Sequence, residues 1–214
     1  MSARPVRALL WDMDGTLVDS EPLHARALAG ALETRGLSAP PDLHDRTLGL
    51  SARDLYDVLR AETTLDLPFD EWIRLKHRVY RRLVAGLRPF QGALDCYRRM
   101  QAAGIRQAIV SNSDRIIVTA NLDAAGLTEP GLVSVSLNDV RHGKPDPEPY
   151  LRAAWLLEAA PAECVVIEDS ATGAAAGLAA GMRTHLVPHA GDRARDDAPG
   201  AVTRLEGFDA LVPG

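Results

Sequence analysis

Apolar residues fall into two patterns along this chain: short unbroken runs, and stripes at helical spacing. The first run is Ala8-Leu9-Leu10-Trp11, and such a run, stopped abruptly by polar residues, fits a strand buried on both faces. From Glu21 to Gly36 the residues Leu23, Ala27, Leu28, Ala31 and Leu32 recur at helical spacing, and Gly36 is a natural stop. Pro40-Pro41 breaks the chain. Helical stripes resume from Ser51 to Ala61, with Ser51 as N-cap and Leu55, Val58 and Leu59 apolar. Another runs from Asp70 to Ala85 through Trp72, Ile73, Leu75, Val79, Tyr80, Leu83 and Val84. The stretch from about Ser20 to Leu87 is therefore expected to be all helix.

After Pro89 runs and stripes alternate. Helices are expected over Ala93–Ala103, Arg115–Ala125, Pro147–Ala159 and Ala171–Ala180, and strands over Gln107–Val110, Leu132–Val135, Cys164–Ile167 and Thr184–Val187, the last clear one. Such alternation gives right-handed βαβ units and a parallel sheet covered on both faces. The expected fold is α/β: a doubly wound, Rossmann-like parallel-sheet core of residues 1–18 and 88–214, with an all-helical domain of residues 19–87 inserted after the first strand.

Composition fits an ordinary globular chain: 214 residues, 46% hydrophobic and 25% charged. A net charge of -5 argues against a nucleic-acid surface as the main role. The cluster Arg74, Lys76, Arg78, Arg81 and Arg82 reads as the solvated face of a helix. Cys96 and Cys164 stand in apolar settings without metal-type spacing and read as reduced core thiols of a cytoplasmic protein. No apolar stretch is long enough to span a bilayer, and no signal peptide is visible.

Chemistry gathers where the expected strands end. Asp12-Met13-Asp14-Gly15-Thr16 follows the first run, and extended geometry carried through it would project both aspartates to one face. Two close carboxylates need a cation between them or a shared proton. Asp14-Gly15 also suits a hairpin turn, but a helical pattern follows and no second strand is visible. A calcium loop fails because Leu17 and Leu23 stand at its sixth and twelfth positions. A solvated acidic turn is the remaining bland reading. Ser111-Asn112-Ser113-Asp114 offers a hydroxyl and backbone N–H groups to a phosphate oxygen, or an ordinary helix cap. Glu168-Asp169-Ser170 offers oxygen ligands to a hard cation, or again a cap. In His142-Gly143-Lys144-Pro145-Asp146-Pro147 the glycine and proline fix a loop around Lys144, an ammonium suited to offset carboxylate repulsion and hold a phosphate. In a doubly wound sheet these turns share one edge, the edge where ligands bind.

In that order, Asp12-Met13-Asp14-Gly15-Thr16, Ser111-Asn112-Ser113, Gly143-Lys144-Pro145 and Glu168-Asp169-Ser170 resemble the four motifs of the haloacid dehalogenase superfamily. Leu17-Val18-Asp19-Ser20-Glu21-Pro22-Leu23-His24 and the helical insertion resemble its sugar-phosphate phosphatase and β-phosphoglucomutase branch. The resemblance implies Asp12 as a nucleophile forming an aspartyl-phosphate, and Asp14 as general acid and then base, oriented by Thr16. It implies Ser111, the Asn112 backbone and Lys144 on the phosphoryl oxygens. Mg2+ would be held by Asp12, the Asp14 carbonyl, Asp169 and Glu168, and the insertion would close as a cap, hinged near Val18–Ser20 and Leu87–Pro89. Phosphoryl transfer needs mainly positioning and charge neutralisation, which this residue set supplies.

A mutase of the β-phosphoglucomutase type is the rival enzyme. His24 matches a histidine of the mutase hinge and Lys76 a substrate-facing cap lysine, while Leu48 and Ala52 replace the lysine and arginine expected there; Arg53 is the residue left to substitute. Asp14 argues against a dehalogenase, which lacks the second aspartate. The early nucleophile and the insertion argue against a phospho-acceptor receiver domain, and the intact motifs argue against a non-catalytic phospho-ligand binder. The expectation is a monomeric Mg2+-dependent phosphatase acting on a small phosphorylated metabolite of the sugar-phosphate type, with no nucleic-acid or membrane partner.

Overall fold

The computed structural model describes residues 5–40, 42–43, 46, 50–187 and 199–211. Pro41, Leu48 and Gly49, and residues 189–198, lie outside them. The chain forms two compact units, Ser20–Leu87 and Met1–Asp19 with Arg88–Gly214.

Helices α1 (Glu21–Glu33), α2 (Ala52–Glu62) and α3 (Phe69–Leu83) build the Ser20–Leu87 unit. The stripe expected for α1 is buried in full. Helix α1 stops at Glu33, short of Gly36, where the φ of +70° completes a turn that glycine adopts without strain. Ser51 caps α2, its hydroxyl accepting from the Asp54 N–H at 3.1 Å. Leu28, Ala31, Leu32, Tyr56, Leu59 and Trp72 share one core. Beyond α3 the last turn tightens into a 3-10 segment, Val84–Gly86, where a continuous helix to Ala85 is expected.

The other unit is a six-stranded parallel sheet. Its strands are β1 (Ala8–Asp12), β4 (Arg106–Val110), β5 (Val133–Val135), β6 (Cys164–Glu168), β7 (Arg183–Leu186) and β8 (Thr203–Arg204), in the order β5-β4-β1-β6-β7-β8. Two short strands, β2 (Val18–Asp19) and β3 (Arg88–Pro89), pair antiparallel where the chain leaves this unit and returns. Neither they nor β8 carry a hydrophobic pattern, having two residues each. Helices α4 (Gln91–Ala102), α5 (Arg115–Ala125), α6 (Glu148–Leu156) and α7 (Ala171–Ala179) connect the strands. Helix α6 ends before the expected Ala159, because the chain turns at Glu158 with φ +51°.

All five residues of β1 are buried, which explains its unbroken apolar run. On one face Ala8, Leu10, Ala108, Val110 and Val166 pack with Tyr150, Ala153 and Ala154 of α6 and Ala176 of α7. On β1 the Trp11 indole donates to Gln107 Oε1 at 2.8 Å, and the Gln107 amide donates to the Tyr97 carbonyl at 2.9 Å, so these buried polar groups are paired. Both cysteines are buried and free. No helix among the described residues is long and apolar enough to cross a membrane.

The chain builds β1, β4 and β5 on one side, then crosses back to place β6 on the other side of β1. Asp12 thus ends the central strand where the winding reverses, the place where doubly wound sheets open a crevice for ligands.

Helix α7 reaches the sheet because its contact residues are small: a Cβ on Gly177 would lie 2.6 Å from Thr184 Oγ1 and 3.2 Å from Val166 Cβ. In an open helix Gly177→Ala would stabilise by about 1 kcal/mol, whereas overpacking costs about 1–3 kcal/mol. The expected outcome is a lower urea midpoint for Gly177→Ala; a higher one would show that the helix has room to spare.

Candidate active site

The site is built on one buried ammonium. Lys144 Nζ lies 2.5 Å from Asp12 Oδ1, 2.6 Å from Glu168 Oε1 and 3.0 Å from the Val110 carbonyl oxygen, so its three protons have three acceptors. Asp12 ends β1, Glu168 ends β6, and Lys144 comes from the loop between β5 and α6. The Asn112 side chain fixes that loop: its Oδ1 accepts from the Lys144 N–H at 2.9 Å and its Nδ2 donates to the Lys144 carbonyl at 3.0 Å. Asn112, expected to offer its backbone to a phosphate, therefore also sets the lysine. The Asp12 and Glu168 charges and hydrogen bonds hold Lys144 protonated, outweighing a burial that would lower its pKa.

Glu168 is fully buried and its oxygens are occupied. Oε1 also accepts from the Tyr150 hydroxyl at 2.7 Å, and Oε2 accepts from the Asp169 N–H, the Ser170 N–H and the Ser170 hydroxyl. The carboxylate needs Gly173 behind it, where an added Cβ would sit 1.7 Å from Oε1.

Asp12, Glu168 and Asp169 present oxygens within 4.8 Å of one another. Burial, with the Glu168 charge second, pushes the Asp12 carboxyl well above the usual range although Lys144 pulls it down. Burial, again with Glu168 second, raises Asp169 to about 7. One lysine therefore does not balance three acids. Asp12 Oδ2 is buried without a hydrogen-bond partner, and a buried carboxylate oxygen facing two further acids fits a hard divalent cation.

Asp14 lies past the end of the strand, near enough for its charge to raise the Asp12 carboxyl further. The strand ends at Asp12 and the chain turns, with the Leu17 and Val18 N–H groups both donating to the Met13 carbonyl. Gly15 turns with φ +86°, and a Cβ there would meet Asp169 Oδ2 at 2.2 Å. The Asp14 carboxylate accepts from Ser111 and Ser113 hydroxyls, each at 2.9 Å, and from the Asn121 amide at 3.2 Å. Thr16, expected to orient Asp14, donates to Asp169 Oδ1 at 3.2 Å. Ser113 and Asn121 escape sequence reasoning as partners of Asp14. The signal for Asn121 is an amide inside the apolar stripe Ile117, Val118, Leu122 and Ala125 of α5.

His24 and Lys76 belong to the Ser20–Leu87 unit. The His24 ring packs on Tyr80 with centroids 4.6 Å apart, and Lys76 lies on α3. The Arg53 guanidinium, the residue left to replace the missing mutase anchor, lies over Phe69 at 3.6 Å.

The haloacid dehalogenase-like hydrolase family matches residues 6–181. Hexitol phosphatase A of Escherichia coli (strain K12) is 35% identical over 207 residues, covering 96% of this chain and 90% of that protein. A phosphorylated carbohydrates phosphatase of Thermotoga maritima is 28% identical over 186 residues, 86% of each chain. Among solved structures, CbbY from Rhodobacter sphaeroides in complex with xylulose-(1,5)bisphosphate superimposes with a TM-score of 0.83 at 26% identity, covering 96% of each chain.

The acid cluster gives stability a pH dependence whose sign follows from Asp169. Its folded-state pKa of about 7 lies above the unfolded value, so without a cation its contribution is full at low pH and is lost as pH rises through about 7. A divalent cation offsets that loss where the acids are ionised. The expected gain in Tm on replacing chelator with Mg2+ is larger at about pH 8 than at about pH 5. An equal gain at both, or none, would contradict a cation site on these acids.

Proposed function

Because this chain belongs to the haloacid dehalogenase-like hydrolase family, and is by that kinship a phosphoric monoester hydrolase, we propose that it hydrolyses small phosphorylated metabolites through a phosphoryl group carried on Asp12. The observation that carries this reading is the state of Asp12: it ends the central strand, one oxygen is paired with Lys144 and the other is buried without a partner.

In the first step an Asp12 oxygen attacks phosphorus. The O–P bond to the carboxylate forms, the bond to the leaving oxygen breaks, and that oxygen takes a proton from Asp14. In the second step water attacks the same phosphorus, gives its proton to Asp14, and phosphate leaves with Asp12 restored as a carboxylate. The sum is a phosphate ester and water giving an alcohol and phosphate. The two aspartates take different roles by position: Asp12 ends β1 paired with Lys144, and Asp14 lies beside Ser111, which follows β4.

Mg2+ would be held by Asp12 and Asp169 with the Asp14 carbonyl; Glu168 reaches it only by giving up one of the donors that now occupy its oxygens. The ion would supply charge neutralisation for an anionic nucleophile meeting an anionic phosphate. Lys144 supplies a second positive charge, and Ser111 with the Asn112 backbone holds phosphoryl oxygens.

The relatives support a substrate class. One is named for hexitol phosphates and another for phosphorylated carbohydrates, which supports a phosphorylated sugar or sugar alcohol. The test is phosphate release from a panel of hexitol, hexose and pentulose phosphates, with Mg2+ present and then chelated. The expected result is metal-dependent release with one preferred ester, and a loss of about 10^4-fold or more in kcat for Asp12→Asn in a chain that still folds, Glu168 still pairing Lys144. Isomer conversion of glucose 1-phosphate without net release would establish the mutase instead, and normal turnover by Asp12→Asn would rule out this nucleophile.

A further inference from the structure

Asn121 is an amide where the packing of α5 asks for a hydrocarbon. It is fully buried, on the stripe formed by Ile117, Val118, Leu122 and Ala125. A buried amide costs stability unless its hydrogen bonds are made. Its Nδ2 donates to Asp14 Oδ1 at 3.2 Å. Ser113 adds a second donor to the same carboxylate, its hydroxyl lying 2.9 Å from Oδ2.

The third donor, Ser111, has a conflict of duty. Its hydroxyl accepts from the Ser113 N–H at 2.9 Å and gives its single proton to Asp14 Oδ2 at 2.9 Å. The proposed reaction also assigns that proton to a phosphoryl oxygen, and one proton does not serve both. When a phosphoryl group takes it, Ser113 and Asn121 are the members of this set that stay on Asp14.

We propose that Ser113 and Asn121 are positioning residues that fix the Asp14 carboxylate beside Ser111 while a phosphoryl group is bound. The inference rests on the reading of Asp14 as acid and base. Asn121 reaches the substrate only through Asp14, so its effect falls on proton delivery and not on substrate affinity.

The test compares wild type with Asn121→Leu, Ser113→Ala and Ser113→Thr on two esters. One is sorbitol 6-phosphate, or whichever alkyl phosphate is turned over fastest, whose leaving oxygen needs a proton. The other is p-nitrophenyl phosphate, whose leaving group departs without one. Asn121→Leu is expected to remain folded. Its kcat on the alkyl ester should fall by about 10–100-fold with KM within about twofold, because misplacing a catalytic group by about 1 Å costs up to about 100-fold. The first-turnover rate of p-nitrophenolate release should change by less than about threefold. Ser113→Ala should show the same split, and Ser113→Thr, which keeps the hydroxyl, should restore turnover. If Asn121→Leu does not fold, the Ser113 pair decides. Unchanged kcat on both esters, or an equal loss on both with a lower Tm, overturns the positioning role while the phosphatase reading stands. A wild type that releases no phosphate from any ester removes that reading, and this proposal with it.

Discussion

The arrangement depends on one constraint: a lysine held by two carboxylates in a place that water barely reaches. Lys144, Asp12 and Glu168 are all buried, and removing charge of either sign from such a group leaves the other uncompensated. Much of the surrounding structure serves to keep this contact. Asn112 clamps the lysine's own backbone from the neighbouring strand end. Tyr150 and the turn at Ser170 fill the remaining acceptor capacity of Glu168, and Gly173 leaves the space that Glu168 occupies. The lysine does not balance the third acid, Asp169, and that surplus of negative charge suits the cluster to a second cation.

Sheet topology explains why these groups meet at all. Asp12, Ser111 and Glu168 come from segments far apart in sequence, yet each follows or ends one of three adjacent parallel strands, β4, β1 and β6. Parallel pairing brings all three ends to the same edge, and the reversal of winding at β1 opens that edge. The sheet thus works as a jig: its apolar strands are rigid because they are buried on both faces, and the polar residues just past them inherit that rigidity.

The sheet core was legible because buried strands and amphipathic helices leave opposite signatures. Ala8-Leu9-Leu10-Trp11 and Cys164-Val165-Val166-Ile167 read as strands and are strands. The two-residue strands β2, β3 and β8 left no signature, being too short for any period to show. At the site, residue types at strand ends indicated which groups carry charge, but not which way they turn. The strand ends at Asp12, and in the turn that follows the Asp14 carboxylate meets Ser111, Ser113 and Asn121, partners that no strand pattern names. Thr16 went to Asp169 for the same reason. Asn121 was hidden because one polar residue in an apolar helix stripe has no meaning until the fold supplies its partner.

The central claim is that Asp12 carries the phosphoryl group, and the most direct measurement is of the chain itself during turnover. Enzyme mixed with a phosphorylated sugar alcohol and Mg2+, quenched in acid within milliseconds and mapped by mass spectrometry, should carry one added phosphoryl group on the peptide spanning β1, placed at Asp12 by fragmentation and removed by hydroxylamine. An unmodified chain at every quench time while phosphate accumulates, or a phosphoryl group on any other residue, would contradict the account.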